Sequence, residues 1–346
     1  MTDTATGGDS LTVDGLQTYL HCPRRYEFAH VHGLEGSSDD TVDDRIALLR
    51  VAICDALRSG ETDAEALERV ARDRLSTHWI DYDERFHSRT QRRHERRVLE
   101  ATLAAYVERI GADHAAGLAQ LDADGAHDEL IGPELPLSSA ISLPDSNAAG
   151  DADAVTIDAP VDYVTGDGSS LVGVRFVPTL APLGPLRYRS DWEGDVAELF
   201  TDHFDPDSAA FEPGPVGALF ETAVVLDGLR TLRDRLELGD RTCRYLQIPL
   251  ADRSGLTVNW VQDTVETSLE VADLTAVYVD HHTFGMTHDH RNATVDDRLA
   301  SVVAALRSGP FDPADSWDRI AEHACPDCEY TVCCQDHIAT EVRFDG

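Results

Sequence analysis

The pattern of hydrophobic and polar positions divides the chain into a helical first third and a later part that alternates between strands and helices. Near the N-terminus the apolar spacing predicts two short helical turns that are interrupted at Pro23. An apolar period close to that of an α-helix then predicts helices over residues 43–117.

The pattern changes to alternation after residue 126. Strands are predicted at 132–143, 154–164 and 169–180, and the glycine-rich turn at 166–168 joins the last two in a hairpin. A strong helix is predicted over 215–238 and a last one over 296–309. Further strand-like runs lie at 245–250, 256–261 and 274–282.

This order of elements predicts an α/β or α+β fold, with a mixed sheet flanked by helices and a helical insertion on its N-terminal side. We expect four regions along the chain. They are an N-terminal element (1–36), a helical region (37–125), an α/β core (126–310) and a C-terminal element (311–346).

Composition limits the class of protein. The 346 residues carry a net charge of −35, yet 42% are hydrophobic, which excludes a wholly disordered acidic chain. The sequence contains no run of eighteen apolar residues, so no membrane-spanning helix is predicted. The acidic N-terminus does not have the pattern of a secretory signal, so we expect a cytoplasmic protein. All 29 basic residues are arginine. The scattered acids favour a surface adapted to high salt over one that binds cationic partners.

Seven cysteines are present, and without a secretory pattern they favour metal binding over disulfides. Cys325 and Cys328 form a CxxC turn, and Cys334 follows after five residues. Three thiolates need a fourth ligand for an iron–sulfur cluster or zinc. Cys22, which precedes a proline, is the favoured candidate, and Cys333 and His337 are nearer alternatives for a local zinc site.

The two ends together resemble the RecB-like, Cas4-like and AddB-like branch of the PD-(D/E)XK nuclease superfamily. The opening Cys22-Pro23-Arg24-Arg25-Tyr26 and the closing cysteine pattern lie about 300 residues apart, so the resemblance covers most of the chain. It implies a restriction-endonuclease-like mixed sheet and a 4Fe-4S cluster held by Cys22, Cys325, Cys328 and Cys334. It also implies DNA as a partner and a nuclease site in which acidic residues hold Mg²⁺ or Mn²⁺.

The sequence departs from the family at that nuclease site. Asp162 fits the first metal-binding aspartate, with a turn or strand-end carboxylate as the favoured alternative. The next strand, 171–179, has the family's shape, but Arg175 stands where the second acid belongs and Val177 where the catalytic lysine belongs. A chain without lysine cannot supply that lysine at any alignment, and arginine stays protonated, so it cannot act as a base.

Other positions give further remnants of such a site. Glu221 falls near the expected glutamine of the later helix, with Val225 near the tyrosine. Cys54 falls near the expected histidine of an early helix, and Glu134 could supply another carboxylate. The candidate catalytic residues are therefore Asp162, Glu134 and Glu221.

One segment concentrates basic residues in this acidic chain. Because arginine pairs with phosphate through a bidentate fork, the segment 85–97 predicts a DNA-binding track, although pairing with Glu95 and Glu100 is an alternative. Its arginines are Arg85, Arg89, Arg92, Arg93, Arg96 and Arg97.

Two other groups receive structural interpretations. The histidine run of His281, His282, His288 and His290 is interpreted as a solvated loop, with metal binding as an alternative. The four tryptophans, Trp79, Trp192, Trp260 and Trp317, are interpreted as core residues.

Two classes of function follow. The first is a catalytically degraded family member that binds DNA, or a helicase or recombination partner, in DNA repair or recombination. The second is an active metal-dependent exonuclease or endonuclease with an unconventional site. A zinc-stabilised protein unrelated to nucleases is a third hypothesis.

Overall fold

A computed structural model of the protein describes residues 10–34, 36, 41–82, 86–121, 127–143, 154–188, 195–262, 264–279, 291–313 and 316–341. Within them the strands are β1 (Ser10–Thr12), β2 (Ile131–Ser142), β3 (Ala154–Asp167), β4 (Ser170–Val177), β5 (Thr242–Pro249), β6 (Thr257–Asn259), β7 (Thr264–Glu266) and β8 (Ala272–Asp273). The α-helices are α1 (Val13–His21), α2 (Pro23–Tyr26), α3 (Thr41–Arg58), α4 (Ala64–Asp81), α5 (Arg89–Tyr106), α6 (Ala112–Leu121), α7 (Val196–Phe204), α8 (Pro213–Arg235), α9 (Thr275–Tyr278), α10 (Ala293–Ser308), α11 (Trp317–His323) and α12 (Gln335–Glu341). None of these described helices is both long and apolar enough to cross a membrane.

A mixed sheet of six strands lies at the centre of the described chain. Strand β3 pairs antiparallel with β2 along one edge, and its other edge pairs with β1 (parallel) and β4 (antiparallel). Strand β5 pairs parallel with β4, and β8 closes the far edge antiparallel to β5. The parallel β4–β5 pair requires a crossover, and the long helix α8 lies in it.

Helices cover both faces of the sheet. Thr165 on β3 donates to the backbone oxygen of His114 on α6, whereas Gly173, opposite the neighbouring Val164, faces Leu229 of α8. Since successive strand residues face opposite sides, α6 and α8 lie on opposite faces. This explains why β4 is buried almost throughout and is apolar without alternation.

The structure confirms the predicted mixed α/β sheet with its helical N-terminal region. The interruption at Pro23, the hairpin of β3 and β4, and the helix at 213–235 are also as predicted. A single cluster of buried apolar side chains contains residues from both the helical region and the sheet.

The predicted strand at 274–282 is wrong over its described part. Strand β8 ends at Asp273 and the chain turns into α9, while residues 280–290 lie outside the described residues. Thr275 explains the turn, because its hydroxyl accepts from the Tyr245 N–H (2.7 Å) that a longer strand would have paired. A short apolar run of this kind is compatible with either a strand or a buried helix.

Gly117 sets the distance between α6 and the sheet. A Cβ atom at this position would lie 1.9 Å from the backbone oxygen of Gly166. We expect Gly117→Ala to lower the free energy of unfolding by about 1–3 kcal/mol, because this overpacking outweighs the gain in helix propensity of about 1 kcal/mol.

The measurement is urea-induced unfolding in molar KCl. Gly239→Ala is the matched control, since a Cβ atom there meets nothing within 4 Å, and its effect should stay within about 0.5 kcal/mol. Equal stability of the two variants would contradict the close packing of α6 on β3.

Candidate functional site

Asp162 lies on β3 and is fully buried. Its Oδ1 accepts from the Arg50 Nε of α3 (2.6 Å), and its Oδ2 accepts from the backbone N–H of Phe176 (2.6 Å). Burial raises the pKa of Asp162, and the Arg50 guanidinium opposes this shift. Both carboxylate oxygens therefore already have donors within the protein.

Glu221 lies on α8 and is 1% exposed. One carboxylate oxygen accepts from the Arg175 Nη1 (2.6 Å) and from the hydroxyl of Tyr245. The other oxygen accepts from the Gln247 Nε2 (3.4 Å). Burial and the neighbouring Glu221 carboxylate raise the pKa of Tyr245, so its hydroxyl keeps the proton that it donates.

Glu134 lies on β2, where the register with β3 shifts. Its backbone has a positive φ of 65°, and its side chain is 71% exposed. The Arg50 Nη1 lies 3.5 Å from the Glu134 Oε1, so Arg50 joins Glu134 to Asp162. Arg175 interacts electrostatically with Asp162 and pairs with Glu221. Two arginines thus bring all three predicted catalytic acids into one network, which we call the carboxylate centre.

The chemistry of the carboxylate centre differs from that of a metal-dependent nuclease. A divalent cation at the buried carboxylates would lie close to the guanidinium groups of Arg50 and Arg175, and like charges repel strongly in a buried site. Burial raises the pKa of Cys54 to about 12, so the residue near the expected histidine is a neutral thiol; it donates to the Asp162 backbone oxygen (3.6 Å). Both buried carboxylates of the centre are therefore engaged by guanidinium groups, and only Glu134 of the three acids is exposed to solvent.

The cysteines predicted to share a metal approach one another where the two ends of the chain meet. Cys22 separates α1 from α2, and the other three cysteines lie between α11 and α12. Burial, together with the nearby thiols of Cys22, Cys328 and Cys334, raises the pKa of Cys325 to about 11. Cys333 is exposed and does not contribute to this shift. We call Cys22, Cys325, Cys328 and Cys334, with the segments that carry them, the cysteine junction.

Several contacts hold the cysteine junction together. Arg25 pairs with Glu329 (2.9 Å), and Arg24 pairs with Asp336 (3.0 Å). The Tyr330 hydroxyl also donates to the Leu34 backbone oxygen (2.8 Å). Segments about 300 residues apart are therefore joined by side chains of the opening and closing motifs.

The donor chemistry of the junction fits a metal or cluster. A bound cation relieves the repulsion among neighbouring thiolates, and thiolate sulfur suits both zinc and iron–sulfur clusters. In the described part of the chain, no group of three or more His, Cys, Asp or Glu side chains lies close enough together to hold a metal ion. Binding would therefore require the thiols to close around the metal.

The predicted DNA-binding arginines lie on α5 except Arg85, which is outside the described residues. Arg89, Arg92 and Arg93 are exposed, whereas Arg96 and Arg97 are partly buried. Arg96 donates to Glu100 (2.8 Å), which is the alternative pairing that the sequence suggested.

In the part of the chain that the structure describes, the ion pairs of Glu95 reach arginines outside its own segment. It is 6% exposed and pairs with Arg45 of α3 (3.2 Å) and Arg253 (2.9 Å). This carboxylate therefore ties α5 to its neighbours and leaves the exposed α5 arginines on the outer side of the helix.

Trp260 is a residue that the sequence interpretation missed. It was expected in the core, but it is 72% exposed beside the β6–β7 hairpin, with its ring stacked on His94 of α5 (5.3 Å between centroids). The turn residue Asn259 could have indicated this position, because its side chain accepts from Val261 and Gln262 and so places the tryptophan at a hairpin tip. Trp79 is buried as predicted. Trp192 and the histidine run at 281–290 lie outside the described residues.

No protein-family model matches the sequence, and no curated protein matches it.

The pairing of Arg175 with Glu221 should be essential to stability. We expect Arg175→Met to lower the free energy of unfolding by about 3–5 kcal/mol, because it leaves a buried carboxylate without its counter-charge. The double variant Arg175→Met/Glu221→Gln should recover part of this loss, since it removes both charges. Urea-induced unfolding of both single variants and the double variant measures the coupling.

An ion pair on the surface provides the control for this comparison of single and double variants. Arg72 and Glu68 pair at 2.7 Å but are 48% and 33% exposed, so Arg72→Met should cost less than about 1 kcal/mol. Purely additive effects at Arg175 and Glu221 would contradict the buried pairing.

The cysteine junction should retain a metal through Cys22. Anaerobically purified protein should contain about four iron and four sulfide per chain and be brown. Cys22→Ala should lose both, while Cys333→Ala, the matched control, should keep them. Colourless protein with one zinc per chain would support the zinc alternative, and retention of iron by Cys22→Ala would assign the fourth ligand to Cys333 or His337.

Proposed function

We propose that this protein is a catalytically inactive relative of the PD-(D/E)XK nucleases that binds DNA as a structural subunit. The observation that carries the proposal is the pairing of both buried acids of the carboxylate centre with arginine. Arg50 holds Asp162 and Arg175 holds Glu221, both at 2.6 Å. A tethered cation takes the place that a divalent metal needs, and Val177 offers no group to activate water.

The arrangement of the sheet supports the ancestry. Three antiparallel strands, a crossover helix and a parallel fourth strand place Asp162, Arg175 and Glu221 around one point, as the resemblance leads us to expect. Fold alone does not establish function, so the proposal depends on the site.

A surface on α5 and the neighbouring hairpin supports DNA binding. Arg89, Arg92 and Arg93 supply exposed guanidinium groups, and Trp260 adds an exposed ring that stacks on His94 of the same helix. Cations that follow the backbone, with an aromatic ring on which a base can stack, are typical of single-strand binding. We call these residues the α5 surface.

The cysteine junction would have a structural role in this proposal. A 4Fe-4S cluster bound there, or zinc in the alternative, would fasten the N-terminal element to the C-terminal one. The function that we infer is a cytoplasmic role in DNA repair or recombination, with a helicase or recombination protein as a further partner.

DNA binding is tested by the dependence of affinity on salt. The variant Arg89→Gln/Arg92→Gln should reduce the slope of log affinity against log salt by about 1.4 for single-stranded DNA, because each phosphate contact contributes about 0.7. Trp260→Ala should weaken binding about tenfold through lost stacking. Arg235→Gln/Arg307→Gln carries the same charge change away from the α5 surface and is the matched control. An equal effect of the control pair would remove the α5 surface from the proposal.

The absence of catalysis is tested with Mg²⁺ and Mn²⁺ in molar KCl on single- and double-stranded DNA. The purified protein should release no more product than Asp162→Asn, a variant chosen because it keeps the shape of the side chain. Metal-dependent cleavage that Asp162→Asn abolishes would overturn the proposal in favour of an active nuclease.

A further inference from the structure

A cavity of about 550 Å³ lies apart from the carboxylate centre, between α1, α7, α10 and α11. Sites for small molecules typically measure about 300–1,000 Å³ and combine an apolar lining with a few polar groups. This cavity has both properties, since aromatic rings and two arginines line it.

Three aromatic rings contribute to the apolar wall of the cavity. Tyr19, Phe204 and Phe211 line the cavity. Phe211 is held in place by stacking on His323, with ring centroids 5.7 Å apart and planes at 12°. Flat rings such as nucleobases stack on walls of this kind.

Arg319 carries a charge that the described residues do not balance. Its Nη1 donates to the backbone oxygens of His203 (3.1 Å) and Ala210 (2.9 Å), and its Nη2 donates to Ser316 (3.1 Å). All three acceptors are neutral, and the buried Nε has no hydrogen-bond partner. Because Arg319 lines the cavity and forms no ion pair within the described residues, an anion in the cavity would be attracted to its charge.

Arg298 adds a second cation to the same cavity. It is exposed on α10, and its guanidinium lies 5.4 Å from the ring centroid of Phe204. Within the described residues it has no carboxylate partner. Asp312 also lines the cavity, so the charged lining comprises two guanidinium groups and one carboxylate.

We propose that this cavity binds a nucleoside monophosphate, with the phosphate on Arg298 and Arg319 and the base against the aromatic wall. The ligand combines a flat ring with a doubly charged anion, and guanidinium groups pair with phosphate through two parallel hydrogen bonds. The proposal is independent of the DNA-binding function, since it uses neither the α5 surface nor the carboxylate centre.

Calorimetric titration of the full chain in molar KCl tests this site, with deoxyadenosine monophosphate, deoxyadenosine and inorganic phosphate as separate probes. The monophosphate should bind with one site per chain, and the two fragments should bind at least about tenfold more weakly. Arg298→Gln should weaken binding of the monophosphate about tenfold, the loss typical of one charge-assisted hydrogen bond. Ser301→Trp should weaken it at least as much by filling the cavity.

Two substitutions on the same helix are the matched controls. Arg307→Gln and Ser308→Trp lie on α10 outside the cavity lining and should keep the affinity within about twofold. Positions 298 and 301 are exposed, so both test variants should fold, and their melting temperatures without ligand check this. The proposal is overturned by no saturable binding of the monophosphate, by equal binding of phosphate alone, or by unchanged affinity in Arg298→Gln or Ser301→Trp.

Discussion

Pairing of buried carboxylates with arginine is the interaction on which the rest of this structure depends. The chain has 64 acidic side chains and 29 arginines, so most carboxylates must remain in water. The described residues bury three carboxylates, Glu95, Asp162 and Glu221, and each has an arginine partner within 3.2 Å. This follows from the cost of desolvation, because a buried charge without a partner would destabilise the fold by several kcal/mol.

The same pairing links the architecture to the proposed loss of catalysis. Helix α3 carries Arg45 and Arg50, which reach Glu95 on α5 and Asp162 on β3, so one helix joins the helical region to the sheet through two ion pairs. In a metal-dependent nuclease, a bound divalent ion balances the charge of the acids and leaves open positions for water. A guanidinium balances the charge but offers no coordination position for water, which is the physical basis of the proposed loss of catalysis.

The local sequence pattern was sufficient to predict the features that depend only on residues close together in the chain. The β3–β4 hairpin, α8 and the cysteine spacing all follow from periodicity, turn chemistry or ligand spacing over short stretches. The sequence also showed that Arg175 stands where the family has an acid. Glu221 was identified as a candidate catalytic residue, but its pairing with Arg175 was not predicted. Arg50 was missed, since it reaches Asp162 from 112 positions away and nothing in its own helix indicates that contact. Trp260 was misplaced because an isolated tryptophan is compatible with either a core or a hairpin tip.

The net charge of the chain opposes the proposed DNA binding only over the distance at which charges act through the solvent. At about 1 M salt the Debye length is about 3 Å, so acids elsewhere on the surface hardly act on a phosphate at the α5 surface. Groups in direct contact then determine affinity, and a guanidinium fork or a stacked ring keeps its geometry when long-range attraction is screened. Three exposed arginines on one helix, with an exposed tryptophan stacked on the same helix, can therefore matter more than a charge of −35 distributed over the whole chain.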